Sequence, residues 1–231
     1  MIQVRNLKKV YNGIAAVDIP SLAIAPGESF GLVGNNGAGK TTFFRLALDL
    51  VLPEQGEVLS KGVDVRKTEA WKRYTGSYLD EGFLIDYLTP EEYFEFVGSL
   101  FGLSGTGTRA RLAAFAGLFN GEVLDTGKYI RDLSRGNQQK VGIAAALMVE
   151  PEVLVLDEPF ANLDPRAQIR LKELLQALQA DRQVAMLISS HNLNHVTEVC
   201  ERIAVLEKGV IAQDIQTSAG TLADLELYFT A

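Results

Sequence analysis

The stretch over residues 30–42 constrains this chain most, because a glycine-rich turn joins an apolar, strand-like run to a helix-like run. From residue 34 to residue 41 the turn has the G-x-x-x-x-G-K-[ST] spacing of a phosphate-binding loop. Glycines allow successive backbone N–H groups to face a polyphosphate, and the positive end of the following helix dipole attracts the same charge. The spacing therefore predicts a strand–loop–helix unit whose loop binds phosphates through Gly34, Asn35, Asn36, Gly37, Ala38, Gly39, Lys40, Thr41 and Thr42.

Two side chains of this loop predict what it does with the phosphates. Lys40 would bring a positive charge to the β- and γ-phosphates, and the Thr41 hydroxyl would ligate Mg²⁺. The alternative is a glycine-rich turn that binds nothing. The strand-like run before the loop and the helix-like run after it favour phosphate binding.

Composition excludes several classes of protein. The net charge is −7, from 22 Lys and Arg against 29 Asp and Glu, and nucleic-acid-binding proteins usually show the opposite excess, so no nucleic-acid partner is expected. A single cysteine, Cys200, suits a reducing compartment. The N-terminus lacks the apolar core of a signal peptide, and no apolar run approaches the roughly 20 residues that cross a bilayer. A soluble intracellular chain is expected.

The order of apolar runs predicts an α/β fold made as one domain over residues 1–231. Residues 1–33 alternate as strands do, and after Pro151 short buried strands (153–156 and 184–189) alternate with helices (165–180 and 192–200). A hairpin over 202–213 and an amphipathic helix over 221–229 follow. This alternation predicts a mostly parallel sheet covered on both faces. Between the two halves, residues 78–148 read as a helical insert, with helices at 91–101 and 108–119 and a loop at 105–107.

A second candidate site element follows the buried run at 153–156, where Asp157 and Glu158 emerge at the end of the predicted strand. In open α/β sheets ligands bind at the carboxyl ends of the strands, the edge that also carries the phosphate loop. Asp157 would hold Mg²⁺, and Glu158 would orient and deprotonate the attacking water. An acidic turn without function is the alternative, and the upstream phosphate loop argues against it.

The segment 133–140, here called the signature segment, lies between these two elements. Ser134 is suited to cap the helix that follows, and Gly136 allows a close backbone approach. On the residues alone, this segment is interpreted as a capped helix start.

Taken together, the motifs resemble those of ATP-binding cassette (ABC) ATPases over almost the whole chain. The signature segment is similar to the family's Leu-Ser-Gly-Gly-Gln motif, residues 161–164 resemble its D-loop, and Ser189-Ser190-His191 resembles its switch histidine. Tyr11, in a Tyr-x-x-x-x-Ala-Val context, matches the aromatic that stacks on adenine. The resemblance implies a P-loop NTPase core with a mostly parallel sheet, an N-terminal antiparallel β part and an inserted helical subdomain.

The resemblance also implies how ATP would be hydrolysed. Two cassettes would pair head to tail, as a homodimer or a heterodimer, so that each ATP lies between the phosphate loop of one and the signature segment of the other. Ser134 and Gly136 would then meet the γ-phosphate across the interface, where a helix N-terminus favours an anion. His191 would contact the γ-phosphate and help to hold Glu158, with Lys40 completing the catalytic set.

This sequence departs from the family pattern at three places. Asn35 stands where the loop usually has proline, and Arg135 and Asn137 replace a glycine and a glutamine of the signature motif. The third departure is at the Q-loop, where Asp80 aligns with the usual glutamine. Asp80 could still ligate Mg²⁺, and Glu81 is the alternative by a slip of one residue.

Residues 80–103 and 221–225 resemble the ATP-binding subunits of bacterial ABC-2 type exporters. This implies an integral membrane permease as partner, with the chain cytoplasmic and peripheral on the inner face of the membrane. An apolar groove near Phe83, Tyr87 and Phe94 would receive the permease, although each of these aromatics could instead belong to the core. The alternative function is a soluble single-cassette ATPase without a permease, such as an iron–sulfur assembly ATPase.

Overall fold

The chain folds around two β-sheets, as seen in a computed structural model that describes residues 1–182 and 184–230. The first sheet is antiparallel and has the strand order β2-β1-β4-β5. Its first hairpin turns at Asn12 and Gly13, whose φ angles of 51° and 80° suit a two-residue turn. The strands of this sheet are β1 (Ile2–Tyr11), β2 (Ile14–Ile24), β4 (Gln55–Ser60) and β5 (Val63–Asp64).

The second sheet has six strands in the order β10-β9-β3-β8-β7-β6, and all neighbours are parallel except β9 and β10. Its four residues at β7 and six at β8 are all buried, as expected for a sheet covered on both faces. The predicted mostly parallel sheet is therefore confirmed. Its strands are β3 (Ser29–Val33), β6 (Thr75–Tyr78), β7 (Val153–Leu156), β8 (Ala185–Ser190), β9 (Arg202–Glu207) and β10 (Val210–Gln216).

The hydrophobic core has two parts, one on each face of the parallel sheet. Along β7, Leu154 and Leu156 join the part that packs on the helices after residue 89, whereas Val153 and Val155 join the part shared with the antiparallel sheet. This split follows from the period of two along a strand. The helices are α1 (Lys40–Ala47), α2 (Pro90–Leu100), α3 (Gly105–Leu112), α4 (Ala116–Phe119), α5 (Arg135–Met148), α6 (Pro165–Arg182), α7 (Leu193–Val199) and α8 (Thr221–Thr230).

The prediction of a loop at 105–107 is wrong, because these residues form the first turn of α3. The Ser104 hydroxyl accepts a hydrogen bond from the Gly107 N–H at 3.1 Å, which caps the helix. A serine cap contributes about 1 kcal/mol, which offsets part of the low helix propensity of the two glycines. The single predicted helix over 108–119 is divided, since a 3₁₀ turn (Ala113–Phe115) separates α3 from α4.

Three parallel strands bring the predicted site residues to one edge of the sheet. Val33 at the end of β3 lies beside Ser190 of β8, and Leu156 at the end of β7 lies beside Ile188. The loops that follow these ends carry the phosphate loop, the two acids and His191. Behind them, Cys200 follows α7 and is 3% exposed, and burial raises the pKa of its thiol.

Candidate active site

The phosphate loop wraps the N-terminus of α1, which begins at Lys40. Gly39 has φ 110°, and a Cβ there would lie 2.1 Å from the carbonyl oxygen of Ala16, so no larger residue fits. Residues 36–42, Ala16 and Glu158 line a cavity of about 210 Å³ at this turn. Gly34 and Asn35 are not among the described lining residues, but their carbonyl oxygens accept hydrogen bonds from the Lys40 ammonium at 2.7 and 3.5 Å.

Lys40 and Glu158 are brought together in this cavity, as the motifs predict. The Lys40 side chain is 8% exposed, and its Nζ lies 3.5 Å from Oε1 of Glu158. A cation here can reach both a phosphate in the cavity and the carboxylate above it.

Asp157 accepts hydrogen bonds from two hydroxyls on neighbouring elements. Thr41 Oγ1 donates to Oδ2 at 2.5 Å, and Ser189 Oγ donates to Oδ1. Burial raises the pKa of Asp157 despite both hydrogen bonds. A carboxylate beside a hydroxyl is the oxygen donor set that Mg²⁺ takes with phosphate oxygens and waters, so Thr41 and Asp157 fit that ion.

Glu158 and His191 form the closest acid–imidazole contact of the site. His191 Nδ1 lies 2.8 Å from Oε2 of Glu158, and the His191 backbone N–H donates to the same oxygen at 3.2 Å. The Glu158 N–H in turn donates to Ser189 Oγ at 2.9 Å. Glu158 has a φ of 48°, in the left-handed region that a residue with a Cβ seldom adopts.

Ser134 and Gly136 lie at the start of α5 and are not among the described residues that line this cavity. Ser134 caps the helix by accepting from the Asn137 N–H at 3.3 Å. A Cβ on Gly136 would lie 2.6 Å from the carbonyl oxygen of Asn162, so the segment 161–164 passes directly over it. Arg135 is exposed, with its Nε 3.7 Å from Oε1 of Glu81.

Tyr11 and Asp80 are not among the described residues that line the cavity. Tyr11 ends β1 with 44% of its surface exposed, and the Lys9 ammonium lies 5.1 Å from its ring centroid. Asp80 accepts from the Gly82 N–H at 2.8 Å, and its carboxylate lies 3.6 Å from Arg45 of α1.

An apolar groove of about 330 Å³ opens near Asp80. Phe83 lines it and is 53% exposed. Tyr87 is exposed but is not among the described lining residues, and Phe94 is fully buried in the core, 5.8 Å from the ring of Phe119. The expectation of a groove holds for Phe83 and is wrong for Phe94, whose position on α2 faces the helices behind it.

Three further residues connect to the site that sequence reasoning did not single out for that role. Ser189 bridges Asp157 and Glu158, and its position at the end of a buried strand was the available signal. Gln139 of α5 donates to the carbonyls of Glu158 and Pro159. Lys140 is buried, 3.0 Å from Glu122 and 3.6 Å from Asp164. Nothing in the pattern of α5 indicated where these two polar side chains point.

Comparisons with known proteins show which family this chain resembles. The family model described as ABC transporter matches residues 17–161. An uncharacterized ABC transporter ATP-binding protein of Nostoc sp. (all4389) is 34% identical over 218 residues, covering 90% of this chain and 64% of that protein. The sulfate/thiosulfate import ATP-binding protein CysA of Pseudomonas syringae pv. tomato is 34% identical over 215 residues, covering 92% and 66%. The chain thus spans about two thirds of the length of these relatives.

Among solved structures, the dimeric post-hydrolysis state of the ATP-binding cassette MJ0796 bound to ADP and Pi is similar, with a TM-score of 0.83 and 26% identity. The alignment covers 95% of this chain and 100% of that one. This likeness confirms the predicted fold class, with its P-loop core, antiparallel N-terminal sheet and added helices. Within the described residues, no helix is both long and apolar enough to span a membrane.

Proposed function

Because this chain belongs to the ABC transporter family as an ATP-binding subunit, we propose that it hydrolyses ATP to drive transport through a separate membrane permease. The observation that carries the proposal is the Glu158–His191 contact of 2.8 Å beside the Thr41–Asp157 pair. Together these groups supply a base, a residue that orients it and a magnesium site around one phosphate loop.

Each residue has a role that follows from its surroundings. Lys40 neutralises charge that develops on the β- and γ-phosphates, and the loop amides from Gly34 to Thr42 hold the polyphosphate. Thr41 and Asp157 would hold Mg²⁺, which would supply positive charge to the phosphates when bound. Glu158 accepts the proton of the attacking water, while His191 fixes the carboxylate that Lys40 also approaches. Tyr11 offers an exposed ring for the adenine.

The site is proposed to be completed by a second cassette. Ser134 and Gly136 begin a 14-residue helix whose N-terminus carries the positive end of the dipole. Among the described residues, Ser134 and Gly136 do not line the cavity of their own subunit. This supports a role in binding the nucleotide held by a partner subunit. Whether the partner is a second copy or a relative follows from the mass of the ATP-bound dimer.

The substitution Glu158→Gln tests this mechanism. It should leave ATP binding intact, abolish turnover and trap an ATP-bound dimer, because the amide cannot accept the proton. Glu152→Gln is the matched control, since Glu152 precedes the same strand and pairs with Lys61 at 2.7 Å away from the site. Full turnover in Glu158→Gln would remove Glu158 from its role.

A permease partner and a cytoplasmic position at the inner face of the membrane are supported by the groove beside Phe83 and by the transporter relatives. Export is supported by the likeness of residues 80–103 to ABC-2 type subunits, although CysA is named for import. The chain should co-purify with a permease from membranes. Phe83→Ser should reduce the amount of permease recovered more than Phe96→Ser, which changes an exposed residue of α2. Recovery in the soluble fraction without a permease would favour the soluble ATPase instead.

The division of the chain stays a proposal as well. We regard residues 1–231 as one cassette with a helical insert over about 78–148, and we propose Asp80 as a further ligand of Mg²⁺. In the structure Asp80 lies beside Arg45 of α1, which would moderate the charge that it adds near the phosphates.

A further inference from the structure

Gln139 of α5 directs all of its polar atoms at the loop that carries Glu158. The residue is 3% exposed. Its Nε2 donates to the Pro159 carbonyl at 2.7 Å and to the Glu158 carbonyl at 3.3 Å, and its Oε1 lies 3.5 Å from Nδ2 of Asn162. A buried amide with donors and acceptor satisfied by one loop holds that loop in a single arrangement.

The loop needs such support because Glu158 adopts a backbone conformation that is unfavourable for it. With a φ of 48°, Glu158 lies in the left-handed region, where its Cβ crowds the following carbonyl. Two backbone contacts also hold it, since its N–H donates to Ser189 and its carbonyl accepts from the Ala161 N–H at 3.1 Å. Gln139 adds the side-chain donor that reaches both this carbonyl and the next one.

The backbone at Glu158 decides where its carboxylate points. In the observed conformation Oε2 lies 2.8 Å from His191 and Oε1 lies 3.5 Å from Lys40. Relaxation of φ toward the right-handed region would turn the Cα–Cβ bond and carry the carboxylate away from both partners. Conformations held against intrinsic preference at reactive groups are a recognised form of pre-organisation.

We propose that Gln139 is a positioning residue for the Glu158 carboxylate, acting through the carbonyls of Glu158 and Pro159. This inference rests on the proposed role of Glu158 as the base of ATP hydrolysis. It assigns to the body of α5, five residues after Ser134, a function in the site of its own subunit.

Gln168 of α6 offers a matched control. Its Nε2 also donates to two carbonyls of the same loop, those of Phe160 at 3.0 Å and Leu163 at 3.2 Å, without contacting Glu158. Loss of either glutamine removes two hydrogen bonds to carbonyls of this loop, and loss of Gln139 also removes the longer one from Asn162. Only the loss of Gln139 should release the backbone of the base.

The experiment compares Gln139→Met with Gln168→Met in the full chain, using ATP and Mg²⁺. Methionine keeps the length and packing of glutamine while removing its donors. We expect kcat to fall about tenfold or more in Gln139→Met while KM stays within about twofold, since misplacement of a reacting group by about 1 Å can cost up to a hundredfold. Gln168→Met should lower the melting temperature to a similar degree but keep kcat within about twofold of wild type.

Gln139→Asn provides a second variant if the methionine chain fails to fold. Asparagine retains the amide but is one methylene too short to reach both carbonyls, so kcat should fall here too. Wild-type kcat in the folded Gln139 variants, or an equal loss of kcat in Gln168→Met, would overturn the positioning role. Glu158→Gln distinguishes a failure of the proposed base from a failure of the positioning role. If Glu158→Gln still hydrolyses ATP, the proposed function of Glu158 is wrong. If Glu158→Gln is inactive but the Gln139 variants keep wild-type turnover, only the positioning role of Gln139 is refuted.

Discussion

Lys140 is a buried ammonium whose removal should destabilise the fold less than the removal of its partners. Its side chain is 3% exposed, and Nζ lies 3.0 Å from Glu122 and 3.6 Å from Asp164, which are 50% and 54% exposed. Loss of the partner of a buried ion costs about 3–5 kcal/mol, whereas replacing the whole pair by apolar groups is often nearly neutral. The order of stabilities therefore depends on which charge is left behind.

The double variant Glu122→Gln/Asp164→Asn leaves the ammonium without a counter-charge and should cost about 3–5 kcal/mol. Each single variant keeps one acid within 4 Å of the ammonium. Loss of the charged hydrogen bond in Glu122→Gln should cost about 1.5–3 kcal/mol, and loss of the longer Asp164 contact should cost less. Asn at 164 preserves the N-terminal cap of α6, where Asp164 accepts from the Ala167 N–H at 3.0 Å. Lys140→Met removes the charge itself and should cost less than the double variant.

Urea unfolding followed by circular dichroism measures these differences, provided that the slope m stays constant among the variants. Acid provides an independent check. The hydrogen bond from Lys140 lowers the pKa of Glu122, so its carboxylate stabilises the fold above the ordinary pKa near 4, and this contribution is lost as the pH falls through the lowered value. In Lys140→Met the unfolding free energy should fall less over the same drop in pH. A Lys140→Met chain that is less stable than the double variant would refute the reasoning.

Three other substitutions probe the site. Ser189→Ala strands Asp157 and the Glu158 N–H, so it should cost about 1–3 kcal/mol in unfolding free energy and slow ATP turnover; wild-type stability and turnover would contradict this. Asp157→Asn should raise the melting temperature above pH 7 in metal-free buffer, because burial raises the pKa of Asp157 and its charged form is disfavoured. That gain should vanish toward pH 4, where the unfolded carboxyl also takes up its proton, and a gain independent of pH would argue against desolvation. Asp80→Ala should slow turnover more than it weakens nucleotide binding, and equal hydrolysis rates in mutant and wild type would show that Asp80 has no part in the chemistry.

The sequence was sufficient wherever a local pattern determines position. Short buried runs such as 153–156 between turn signals indicate interior strands, and the carboxyl ends of parallel strands meet at one edge. Asp157 and Glu158 could therefore be assigned to the edge that carries the phosphate loop, whereas His191 was added by the resemblance of residues 189–191 to the family's switch histidine. In the structure Thr41 Oγ1 lies 2.5 Å from Asp157 Oδ2, and His191 Nδ1 lies 2.8 Å from Glu158 Oε2.

Contacts that cross from one element to another could not be predicted in this way. Gln139 and Phe94 both lie on helices, and which neighbour a helical side chain meets depends on how the helix packs. The left-handed backbone of Glu158 has no marker in the sequence, because glycine or asparagine would be the usual sign. The turn at 105–107 was missed because the cap from Ser104 opposes the low propensity of the glycines.

The burial of Cys200 has a practical consequence for measuring motion in this protein. It is the single cysteine of the 231 residues, it is 3% exposed, and its raised pKa keeps the thiol protonated and unreactive at neutral pH. A cysteine introduced on the surface, for example at exposed Arg135, would thus take up a thiol-specific spin label or fluorophore selectively. Cys200 would take up little of the label, so the signal would report the separation of two subunits during nucleotide turnover.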